Sequence, residues 1–131
     1  MKLYKFETSQ LTGHALDWAV AKCEGMRIEV RPKSASACGR PLYVLAAEQG
    51  REPWLWYPST DWSQGGVIIE REGMAVWMYQ FNEQGEPEQG WYAEDKDGNH
   101  VRTGPTPLIA AMRCFCASKL DDDVEIPEEL T

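Results

Sequence analysis

The chain has 131 residues, 43% of them hydrophobic, with six tryptophans and a formal net charge of −8. That length fits one domain able to bury its own core, and the apolar content excludes a disordered polyanion. No apolar run nears the ~20 residues of a membrane span, the opening Met1-Lys2-Leu3-Tyr4-Lys5-Phe6 lacks the apolar centre of a secretory leader, and the acidic balance disfavours direct nucleic-acid binding, so a cytoplasmic protein free of membranes is expected.

Residues 2–7 alternate and read as a short strand. Leu11, Ala15, Leu16, Ala19, Val20 and Cys23 then recur at helical spacing, with Ser9 or Thr12 available as a cap and Gly25 as a stop, giving a helix over about 10–24. Met26-Arg27-Ile28-Glu29-Val30 alternates as a strand, and 33–40 is a polar, small-residue loop. Leu42-Tyr43-Val44-Leu45 and Trp54-Leu55-Trp56-Tyr57 are two further strands, joined by a turn at Gly50-Arg51-Glu52-Pro53.

Ser63 can cap a short helix over 65–72 that Gly73 would end, whereas the β-branched Val67-Ile68-Ile69 argues for a strand there. Ala75–Phe81 is the clearest strand, Asn82–Gly90 a charged loop, and Trp91-Tyr92-Ala93 and His100-Val101-Arg102 are strands around a Lys96-Asp97-Gly98-Asn99 turn. Thr106-Pro107 opens a helix over about 107–119. The pattern predicts one α+β domain over 1–119, an antiparallel sheet packed against two main helices, followed by an irregular acidic tail at 120–131 on which Val124, Ile126 and Leu130 can dock.

The charge is uneven. Six acids and no base lie after Lys119, against 15 acids and 13 bases in residues 1–119, and Glu83, Glu86, Glu88, Glu94, Asp95 and Asp97 face only Lys96. Such a surface solubilises the chain and suits a basic partner. The cysteines at 23, 38, 114 and 116 lack zinc-knuckle spacing and read as free thiols, so neither a metal nor a cofactor is expected.

Chemistry-bearing residues concentrate at Tyr57-Pro58-Ser59-Thr60-Asp61-Trp62-Ser63-Gln64-Gly65-Gly66. Only His14 and His100 supply imidazoles and no hydrolase motif occurs, which disfavours an enzyme, although Asp17 and Asp61 can form a carboxylate pair if the fold brings them together. Binding is the favoured reading. Ser59, Thr60, Asp61 and Gln64 offer hydrogen bonds, Gly65 and Gly66 admit close backbone approach, and Trp62, with Trp54 and Trp56, offers a stacking plane. Arg71 and Arg113 can balance phosphate charge, and Asp17 and Trp18 on the first helix complete a site for a nucleotide-like small molecule. The same residues have bland roles open to them: a self-satisfied turn for Ser59-Thr60-Asp61 and core packing for the tryptophans. The alternative function is an acidic protein-interaction module acting on a basic host protein, and homo-oligomerisation is left open.

Four segments carry a family resemblance. Leu11-Thr12-Gly13-His14-Ala15-Leu16-Asp17-Trp18-Ala19-Val20-Ala21, Pro58–Gly66 running into Ile68-Ile69-Glu70-Arg71-Glu72, Thr106–Cys114 and the acidic Val124–Leu130 ending resemble the NinX-like family of small phage proteins. Val67 stands where that family commonly has proline. The resemblance implies an accessory protein acting inside the bacterial host and no particular reaction. A second likeness, over the early helix, the strand pair and Pro53–Trp62, is to phage anti-Thoeris proteins. It implies sequestration of a nucleotide signal used in host defence.

Overall fold

The computed structural model describes residues 2–32 and 42–131. The expected polar loop at 33–40 and Cys38 lie outside the described residues. The described chain runs β1 (Leu3–Glu7), a 3-10 turn (Thr8–Gln10), α1 (Gly13–Cys23), β2 (Arg27–Pro32), β3 (Leu42–Glu48), β4 (Arg51–Leu55), α2 (Trp62–Glu72), β5 (Ala75–Phe81), β6 (Pro87–Glu94), β7 (Val101–Gly104), α3 (Pro107–Leu120) and β8 (Asp123–Pro127). The strands form three antiparallel sheets, β1-β8, β2-β3-β4 and β5-β6-β7. The α+β class holds, with the strands divided among three small sheets and with a third helix.

α3 is the centre. Leu108, Ala110, Ala111, Met112, Cys114, Phe115, Cys116 and Ala117 are all buried, so the helix is covered around most of its circumference. It packs on the inner face of the β5-β6-β7 sheet and against α1, α2 and β8. Thr106 starts it as expected, its Oγ1 accepting from Ile109 N at 3.1 Å ahead of Pro107.

α2 settles the ambiguity at 65–72 as a helix. Asp61 rather than Ser63 is its cap, so it starts at Trp62 instead of residue 65, and Gly73 ends it in the left-handed conformation at φ 65°. Capping at both ends and burial of Ile68 outweigh the β preference of the Val67-Ile68-Ile69 run.

Three other expectations need correction. Glu48 pairs with Arg51, so the hairpin turns at Gln49-Gly50 and Pro53 lies inside β4, an edge strand where a missing donor is tolerated. Pro87-Glu88-Gln89-Gly90 belongs to β6, so the loop after β5 spans only 82–86. The acidic ending is ordered: β8 pairs along the whole of β1 and buries Val124 and Ile126, because its acids alternate with apolar residues at strand period.

Candidate functional site

The 57–66 segment, a turn that runs into the start of α2 at Trp62, folds against itself. Thr60 N and Asp61 N both donate to Tyr57 O, at 3.1 and 3.0 Å, closing a turn, and Thr60 Oγ1 reaches the same carbonyl at 3.4 Å. Asp61 Oδ1 accepts from Ser63 N at 3.0 Å, and both of its oxygens accept from Ser63 Oγ at 2.9 and 2.8 Å. The carboxylate therefore caps α2. Gln64 is a clamp: Nε2 donates to Leu55 O at 2.9 Å while Oε1 accepts from Tyr57 N at 2.8 Å, tying the end of β4 to the helix. Gly65 is buried because the chain itself crowds it. A Cβ there would clash with Pro58 O and lie 2.7 Å from Leu108 Cδ2. At Gly66 the nearest atom to such a Cβ is Trp62 Cε3, at 3.4 Å.

Asp17 does meet this loop, but through the main chain. Its buried carboxylate accepts from Ser59 N at 2.9 Å, across 42 residues of sequence. Trp18 packs at the margin of the core with Lys22 Nζ 5.2 Å from its ring centroid. Both arginines have partners within the chain. Arg71 grips Glu24 through two nitrogens at 2.6 and 2.9 Å and reaches Glu72 at 2.9 Å. Arg113 donates from Nε to Leu11 O at 2.7 Å and from Nη1 to Thr103 O at 2.9 Å, and burial lowers its pKa. The two cations thus brace α1 to α2, and α3 to the chain before α1 and to β7. Trp56 is core and Trp54 stacks beneath the Arg51 guanidinium, 3.8 Å from the ring centroid.

One candidate contact remains outward. Trp62 is 56% exposed beside a hollow of about 200 Å³ that it lines with Ser59, Thr60 and Thr106–Ile109. Ser59 is 2% exposed, and its Oγ has no hydrogen-bond partner among the described residues.

A different surface gathers the aromatic residues. On the face of the β5-β6-β7 sheet turned away from α3, Trp77 lies opposite Tyr92 with ring centroids 5.4 Å apart, and Tyr79 leans on Tyr92 at 4.7 Å. The Tyr79 ring covers Gly90, where a Cβ would lie 2.6 Å from Tyr79 Cζ and push the ring aside. Burial and the neighbouring Glu88 carboxylate push the Tyr79 phenol up. Glu83 and Glu88 border the same hollow, of about 210 Å³, as Tyr79, Tyr92 and Thr103. In register, Ala75, Glu94 and Val101 form the next row on this face. Trp77 is 41% exposed. The alternation within Ala75–Phe81 and the acids at 83–94 were both legible; their convergence on one face was not.

At the far end of the same sheet, Asp95 holds the β6-β7 turn. Its Oδ2 lies 2.9 Å from His100 Nδ1 and its Oδ1 accepts from Asn99 N at 2.8 Å and His100 N at 3.2 Å. The pair lines a hollow of about 300 Å³ with Glu72, Lys96, Phe115 and Lys119. Cys114 donates to His100 O at 3.4 Å, and burial pushes its thiol up to about 11, which keeps it a poor nucleophile. Among the described residues no group of three or more His, Cys, Asp or Glu is placed to hold a metal ion. No helix among them is long and apolar enough to cross a membrane.

These features define a small α+β scaffold with a self-braced polar loop and an uncovered aromatic sheet face. The model of the Bacteriophage P22 NinX family matches residues 7–119, and the chain belongs to that family. No curated protein matches the chain. The match spans the first three segments that carry the NinX-like resemblance and ends before the fourth.

Proposed function

We propose that this phage accessory protein acts by non-enzymatic binding, and that it holds a basic host protein on the acid-fringed aromatic face of the β5-β6-β7 sheet. One observation carries the reading: Trp77, Tyr79 and Tyr92 form a connected, partly uncovered aromatic row, and Tyr79 and Tyr92 line a hollow together with Glu83 and Glu88. Aromatic faces attract arginine and lysine heads, and the surrounding acids add long-range attraction. Uncovered aromatic rows of this kind are characteristic of interaction sites.

The test is capture from host lysate with the intact chain and with a Trp77→Ala/Glu83→Lys/Glu88→Lys variant. The expected result is a set of basic proteins that elutes with salt and is lost from the variant. Identical capture by both chains rejects the reading.

The exposed Trp62 favours a second, narrower reading: binding of a nucleotide-like small molecule, with sequestration of a host defence signal as its purpose. The hollow of about 200 Å³ suits the planar end of such a ligand rather than the whole of it, since pockets for complete ligands run from about 300 to 1,000 Å³. Gly65, Arg71 and Arg113 are engaged within the chain, so phosphate recognition would fall to other groups. Stacking of a base on Trp62 would contribute ~1–3 kcal/mol. Calorimetry with a panel of cyclic and ADP-ribose-type nucleotides tests it. Absence of heat for all of them, or unchanged binding in Trp62→Ala, rejects it.

A further inference from the structure

The geometry points to strand addition. We propose that the free edge of β5 takes up an extended, arginine- or lysine-bearing segment of the partner as an added strand. This rests on the reading that the partner is basic and docks at this sheet.

β5 is the first strand in the order β5-β6-β7, and on its other side no strand among the described residues pairs with it. Its sequence, Ala75-Val76-Trp77-Met78-Tyr79-Gln80-Phe81, carries no charge and no proline. Edge strands are ordinarily blunted by lysine or proline, and this one carries neither. The exposure pattern says how it is to be covered. Trp77 and Met78 are neighbours on opposite faces, yet they are 41% and 43% exposed. A molecule lying flat on the outer face would cover Trp77 and leave Met78 open. A strand laid along the edge covers both, because its own side chains alternate across the same two faces.

Charge selects the occupant. The chain carries −8 overall, and Glu83, Glu88 and Glu94 stand around the outer face. A second copy paired antiparallel on β5 would bring the Glu83 end of one chain toward the Glu94 end of the other, acid against acid. A basic segment relieves that repulsion and sets its cations beside Trp77 and Tyr79. The Arg51 guanidinium over Trp54, at 3.8 Å, is the same kind of contact already made within this chain.

The probe is a capped peptide of alternating arginine and valine, about eight residues long, the span of an ordinary strand. Two further versions carry backbone N-methyl groups on alternate residues, one in each phase. Hydrogen exchange of the intact protein is followed with and without each peptide. The expected result is that the plain peptide slows exchange at alternate β5 amides by about tenfold or more. One N-methylated phase should lose binding and the other keep it, because only one set of peptide amides faces the edge. Binding retained by both phases, with β5 exchange unchanged, overturns strand addition and leaves face docking of a basic partner standing. No binding by any version overturns both. Protection of β5 that rises with protein concentration in the absence of peptide overturns the choice of occupant and assigns the edge to a second copy.

Discussion

The 57–66 segment and the outer face of the β5-β6-β7 sheet both gather polar and aromatic groups, and they turn them in opposite directions. In the loop nearly every polar group faces the chain itself: Asp61 caps α2, Gln64 bridges Leu55 and Tyr57, and Ser59 N is held by Asp17. On the sheet the large apolar groups face outward and stack on one another. A sharp strand-to-helix junction has unpaired backbone groups to satisfy, and hydroxyls, carboxylates and amides do that cheaply. A sheet face has its backbone already paired, so aromatic residues there have no such structural demand to meet, and exposing them is informative.

The largest effect separates Gly65 and Gly66, the two glycines near the start of α2. Gly65→Ala forces a Cβ into Pro58 O and Leu108 Cδ2, so a loss of about 3 kcal/mol is expected, the upper end for overpacking. Gly66→Ala meets only the edge of Trp62 and gains helix propensity, so its change should lie between zero and about 1 kcal/mol in the stabilising direction. Urea denaturation of both variants decides it. Equal losses would mean that the loop is not clamped between Pro58 and Leu108.

A smaller step tests the cap. Asp61→Ala should cost about 1 kcal/mol, the usual cost of a lost N-cap, while Trp62→Ala beside it should cost less because the indole is 56% exposed. A larger loss at Trp62 than at Asp61 would reverse the view of which of the two is structural. On the sheet, Trp77→Ala should cost about 1 kcal/mol through its stacking on Tyr92 and should weaken the arginine–valine peptide at the same time. Loss of stability without loss of the peptide would return the row to a purely structural role and sharpen the contrast in favour of Trp62.

Much of the fold was legible because period and caps agree. α1 and α3 follow from apolar spacing, and Thr106-Pro107 fixes the start of the latter. Where local preferences disagree, tertiary context decides. The β-branched run of α2 is overruled by Asp61, Gly73 and the burial of Ile68. In β6 and β8 the charges of Glu88, Asp123 and Glu125 hide an alternation that pairing reveals. The site was legible as a location but not as a set of roles. Nothing local tells that Asp17 will meet Ser59 N, that Arg71 will find Glu24, or that Gly65 makes room for Leu108. Each depends on packing between segments far apart in sequence.

The smallest effect lies at the end of the aromatic sheet, where Asp95 organises the β6-β7 turn as Asp61 organises the start of α2. Burial alone would raise the Asp95 carboxyl. Hydrogen bonds from the His100 ring, and from the backbone of His100 and Asn99, outweigh it and hold the group below the ordinary 3.8. A carboxyl depressed in the folded state binds its proton more readily once the chain unfolds. Its contribution is therefore complete above the unfolded value and disappears as pH falls through the lower folded value. Asp95→Asn removes this dependence. Urea midpoints of the two chains should differ most near neutrality and converge as pH drops from about 5 to about 2. A gap that stays constant over that range would mean that Asp95 acts through its shape alone, and that the turn supporting the aromatic face owes nothing to its charge.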